Sequence, residues 1–169
     1  YRGYPDFRVL LKSAFEAVEQ VMQPDGLTRL GMRYIDEIRI PDATTPDPWD
    51  AWLDPSLLAP RLEGLRTSGW TSAVQYETGE DRRMVLRYGP ADSPVVTPVG
   101  PLKRANPPGP GPLFVLDFDS FWQPSGIPPF VAAELLDACD ELRSPTRRLF
   151  DQLISPKLIN EIFKKESDA

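Results

Sequence analysis

The chain has 169 residues, 25 acids against 19 bases for a net charge of −6, one cysteine and no histidine. A chain of this length buries ~70% of its unfolded surface, enough for a hydrophobic core without staples. The acidic balance disfavours nucleic acid and anionic membranes, which are held by neutralising phosphate, and the lack of histidine removes the usual general base and the commonest transition-metal ligand.

The opening "YRGYPDFRVLLKSAFEAVEQVM" places Pro5 in a first helical turn and Phe7, Leu10, Leu11, Phe15, Val18 and Val21 at spacings of three and four. That pattern predicts an amphipathic helix, ended by Pro24 and Gly26 in "QPDGLT". "RLGMRYIDEIRIP", residues 29 to 41, alternates as a strand, with Leu30, Met32, Tyr34, Ile38 and Ile40 on one parity. Asp36 stands in that same row, where an apolar residue is expected. Left ionised and unpaired inside, it would cost roughly several kcal/mol, so it needs a proton, an arginine, backbone donors or a bulge.

The prolines of "PDATTPDPWDAW" predict a loop, and "DPSLLAPRLEGL" one or two short helical turns begun near Asp54 and Pro55. "WTSAVQYE" and "RRMVLRYG", joined by "TGED", read as a hairpin. Residues 90–112 carry eight prolines in 23 positions and are expected to form a long connection without a regular hydrogen-bond ladder. "LFVLDFDSFW" returns as a strand, and the remainder closes in helices. Ser144-Pro145 and Ser155-Pro156 each resemble an N-cap followed by a first-turn proline, which predicts a broken helical series. The expected fold is α+β, a mostly antiparallel sheet of about four strands packed by N- and C-terminal helices, in a single domain over residues 1–169. One sheet face is expected to pack on helices, the other to meet solvent or a partner.

Three groups of residues are candidates for function. Asp117 and Asp119, two apart on one strand, join Asp36, Glu37, Arg33, Arg83 and Arg87 as a polar cluster. Paired carboxylates bind hard cations or divide acid and base roles, while cross-strand Arg/Asp pairs need no function at all. The proline-rich stretch, with Lys103 and Arg104, favours extended polyproline II that aromatic grooves recognise, or serves as a plain linker. Trp49, Trp52 and Trp122, set near loops, are candidate interface anchors if exposed and core caps if not. Cys139 sits in a helical, apolar context and is expected to be a buried, inert thiol in a reducing compartment.

"YPDFRVLLKSAFEAV", "RLGMRYIDEIRIP" and "LFDQLISPKLINEIF" together resemble the second half of a family of conserved hypothetical proteins, sporadically distributed in bacteria and archaea and marked by a "GLRYIN" strand. The resemblance implies that an N-terminal half precedes Tyr1. It also implies that a polar side chain suits position 36, where the family carries asparagine. A histidine that follows a leucine in the family's last long helix is Arg143 here, after Leu142. The family supplies no activity.

The reading that follows is a cytoplasmic, non-enzymatic binding or interaction module, with a protein partner or a second copy of the chain and no cofactor, metal, nucleic acid or membrane. The alternative is a small-ligand protein or enzyme built on the carboxylate and arginine residues.

Overall fold

The computed structural model describes residues 3–40, 48–96 and 111–163, so the core of the proline-rich stretch lies outside the described residues. Helix α1 (Tyr4–Val21) leads into strand β1 (Leu30–Arg39), and the hairpin strands β2 (Ser72–Gly79) and β3 (Arg82–Ala91) are followed by β4 (Leu113–Trp122). Helix α2 (Ala132–Leu153), a short helical turn α3 (Pro156–Leu158) and a π turn (Ile159–Phe163) close the chain. The four strands form one antiparallel sheet in the order β1-β4-β3-β2, and the fold is α+β. Among the described residues no helix is long and apolar enough to cross a membrane.

The sheet order follows from composition. The first six residues of β4 are buried in succession, Leu113 to Phe118, which suits an inner strand covered on both faces. β2 lies at an edge, and most of its residues are exposed.

Two compact units divide the chain, the first from Tyr1–Arg33, Gln75–Met84 and Asp119–Arg147, the second from Tyr34–Val74, Val85–Phe118 and Arg148–Ala169. In the first unit α1 lies against the start of α2. Tyr4 donates its hydroxyl to Asp140 at 2.6 Å, Arg8 Nε donates to the other oxygen of that carboxylate at 2.8 Å, and Arg143 lies over the Tyr4 ring at 4.2 Å. At the far end Phe15 meets Phe130 edge-on, and Glu19 accepts the N–H of Ala132, one of the donors that a helix start leaves unsatisfied. From α2, Leu135, Cys139, Leu142 and Thr146 form a buried stripe at helical spacing.

In the second unit Trp49, Ile38, Leu57, Leu86, Phe114, Leu116, Phe118 and Leu158 are almost wholly buried. The segment around Trp52 is stitched to the end of α2: Leu53 bridges Ile154, Asp54 N–H donates to the Leu153 carbonyl, and Ser155 N–H donates to that of Trp52. Ser155 also caps α3, its hydroxyl accepting from Leu158 N–H at 3.1 Å.

Several expectations change. Residues 49–51, read as loop, form a 3-10 turn that drives Trp49 into the core. β2 runs on through Thr78 and Gly79, so only Glu80 and Asp81 turn, and Asp81 takes the left-handed φ of 53° that aspartate tolerates. β3 reaches Ala91, with Pro90 next to its end, so the connection is shorter than 90–112. Ser144-Pro145 does not interrupt α2, which carries Pro145 in its interior. The buried stripe on either side of Pro145 outweighs the local preference for a break.

Candidate functional site

Alternation along β1 puts Asp36 on the parity of the buried Met32 and Ile38, as the sequence suggests, and the residue is half-buried and engaged by neighbours. Glu37, on the opposite parity, is only partly exposed because its Oε1 accepts two backbone N–H groups, from Val95 at 2.7 Å and Val96 at 2.8 Å. The acid that holds a loop in place is therefore Glu37, beside the one the pattern singles out. Arg33 is exposed and likewise engaged.

The two aspartates of β4 are paired separately. In the second unit Asp117 is buried, with Arg87 Nη1 at 3.9 Å. In the first, Asp119 takes Arg29 at 3.3 Å, and the same guanidinium lies 4.6 Å from the centre of the Phe121 ring. Arg29 stands just before the strand and has no place in an alternation argument, so sequence reasoning misses it. Arg83 is exposed and lines a shallow recess with Asp81, Phe121 and Gln123. Arg87–Asp117 is thus a cross-strand ion pair and Arg29–Asp119 a loop-to-strand one. Among the described residues no three His, Cys, Asp or Glu gather as metal ligands would.

The tryptophans divide differently from expectation. Trp49 and Trp52 are 1% and 8% exposed, core residues and not surface anchors, with Lys157 Nζ 4.0 Å over the Trp52 ring. Trp122 is half-buried under Arg82, whose guanidinium also reaches Glu141 at 2.6 Å. The tight turn at residues 49–51 folds both ends of "WDAW" inward, which a proline count cannot foresee.

What the structure leaves uncovered is one side of α1. Its packed side is Phe7, Leu11, Phe15 and Val18, all half-buried, and no residue of the helix is fully buried. Next to that row run Leu10, Ala14, Ala17 and Val21, every one exposed, with Leu10 at 58% and Val21 at 82%. Their spacing of four, three and four is that of a second apolar seam. The apolar arc of α1 is therefore wider than the surface that covers it. Cys139, by contrast, is buried, and desolvation followed by the charge of Asp140 pushes its thiol up to about 11, against the lowering effect of Arg8.

Comparisons with protein-family models, with curated proteins and with solved structures give no match to this chain.

Proposed function

We propose that the chain is a non-enzymatic interaction module whose docking element is α1, and that its partner is a polypeptide presenting an apolar helix. The observation that carries this reading is the exposed row Leu10, Ala14, Ala17 and Val21. Large apolar side chains in a contiguous exposed row mark interaction surfaces, whereas single ones need no explanation. The two alanines at the middle let a second helix approach closely, and Leu10 and Val21 supply the larger contacts at each end. A second copy in antiparallel register would set Leu10 against Val21 and Ala14 against Ala17. The buried, unreactive Cys139 is compatible with a reducing compartment such as the cytoplasm.

The test is native mass spectrometry of the protein purified gently from its own host, beside the Leu10→Lys/Val21→Lys variant. Both side chains are exposed, so the variant should keep the wild-type circular dichroism and melting profile. The expected result is a bound polypeptide, either another protein or a second copy, that the variant loses. A polypeptide retained equally by the variant, or a small molecule as the sole bound species, would overturn the assignment to α1.

A further inference from the structure

Helix α1 is held far more loosely than the helix it lies on. None of its 18 residues is fully buried, whereas α2 buries Leu135, Leu136, Cys139, Leu142 and Thr146. The apolar side of the attachment is the half-buried row Phe7, Leu11, Phe15 and Val18, with Phe15 meeting Phe130 edge-on.

The polar side gathers at one carboxylate. Asp140 takes the Tyr4 hydroxyl on one oxygen and Arg8 Nε on the other, at 2.6 and 2.8 Å, and Arg143 covers the Tyr4 ring. Asp137, one turn earlier, is 3.4 Å from Arg8 but its side chain is 77% exposed, so it adds little. Glu19 holds the other end of α1, through the Ala132 N–H at 3.1 Å.

A hinge follows the helix. The N–H groups of Met22 and Gln23 both point to the Val18 carbonyl, and Gln23 takes a φ of 46°, a left-handed conformation that suits glycine or asparagine better than glutamine. Met22, Gln23 and Asp25 are exposed. The chain is fixed again at residues 26–27: Leu27 is buried and donates its N–H to the Pro128 carbonyl at 2.9 Å, and a Cβ on Gly26 would lie 2.5 Å from that same oxygen. Residues 22–25 therefore join a loosely held helix to a firm anchor.

We infer that α1 is a switch helix: it undocks from α2 as one unit about residues 22–25, and the Asp140 carboxylate is the catch that keeps it closed. Segments with few buried contacts open at a fraction of the free energy of global unfolding. A lone helix of this length is marginal in water, so undocked α1 frays and its amides exchange with solvent. Opening also frees Phe7, Leu11, Phe15 and Val18, which join Leu10, Ala14, Ala17 and Val21 in one apolar arc. A partner helix that uses the whole arc binds the undocked form better and shifts the population toward it. That consequence rests on the docking reading. The undocking does not, since it follows from how α1 is attached and not from its exposed row.

The experiment is native-state amide exchange of the whole chain, followed residue by residue by NMR at several low urea concentrations. The amides of α1 should exchange through an opening with a small urea dependence, ahead of those of α2 and β4. Asp140→Asn keeps the shape of the side chain and removes its charge, and should speed α1 exchange roughly tenfold, the scale of one lost charge-assisted hydrogen bond. Asp137→Asn removes the same charge one turn away and should change the rates by no more than about twofold. The Leu10→Lys/Val21→Lys variant should exchange as the wild type does. Faster exchange in that variant would mean that a second copy holds α1 through its exposed row, and would overturn the inference. So would α1 amides that share the rates and urea dependence of α2 and β4, or an α1 opening that Asp140→Asn leaves unchanged.

Discussion

Thr146 is a buried polar side chain whose partners can be named one by one. It is 4% exposed on α2, and its hydroxyl sits 3.1 Å from that of Ser120, which is wholly buried on β4. One hydroxyl carries one proton, and the Leu142 carbonyl at 3.3 Å is the better acceptor for it than the Met84 sulfur at the same distance. Ser120 then donates to Thr146, and both groups are satisfied. Thr146→Val keeps the shape but leaves the Ser120 hydroxyl buried without a partner, a loss of about 1–3 kcal/mol. The Ser120→Ala/Thr146→Val pair should cost less than the sum of the single changes, since neither polar group is then stranded. Urea denaturation of the four proteins measures the coupling, and strict additivity would show that the two hydroxyls do not depend on each other. Nothing in the sequence marks this pair, because a serine and a threonine on separate elements carry no pattern that joins them. Asp36 is the opposite case: the alternation of β1 is enough by itself to raise the question of its partner. Arg29 and Glu37 lie between these extremes, ordinary in sequence and placed only by loops that fold back on the sheet.

The same dipeptide, Ser-Pro, has two outcomes in the last third of the chain. Ser155 caps α3 and Pro156 opens it, as local chemistry dictates. Ser144-Pro145 sits inside α2, where proline removes one backbone hydrogen bond and crowds the preceding turn. The helix continues because Leu142 and Thr146, on either side of Pro145, are both buried. Interior proline costs about 3 kcal/mol relative to alanine in a regular helix. Pro145→Ala is therefore expected to stabilise the protein by ~1–3 kcal/mol, seen as a higher urea midpoint with an unchanged slope. A lower midpoint would mean that the packing of the Pro145 ring outweighs the backbone cost of the proline. Elements with strong periodicity are legible in the sequence: the first helix, all four strands and the hairpin lie where hydrophobic spacing puts them. The exceptions share one cause, that burial of a few large side chains overrides a local signal. Trp49 pulls the 49–51 segment into a turn, and the stripe of α2 carries the helix across a breaker. The spare seam of α1 is not legible there either, since periodicity gives the width of an apolar arc and not how much of it is covered.

Charge tests the docking mode proposed for α1. At a net charge of −6 the protein attracts basic polypeptides without any fitted surface, and such capture weakens as salt screens it. Docking on Leu10, Ala14, Ala17 and Val21 has a different signature, because burial of apolar surface lowers the heat capacity on binding and depends little on ionic strength. Raising the ionic strength from ~0.1 M to ~1 M shortens the screening length from ~10 Å to ~3 Å. A partner held by α1 should survive that change with its affinity nearly intact, and calorimetry at several temperatures should give a clearly negative heat-capacity change. A partner released by salt, with little heat-capacity change, would be held by the acidic surface at large and not by the seam of α1. That outcome would leave the apolar row as an exposed feature without a ligand and remove the observation on which the interaction reading stands.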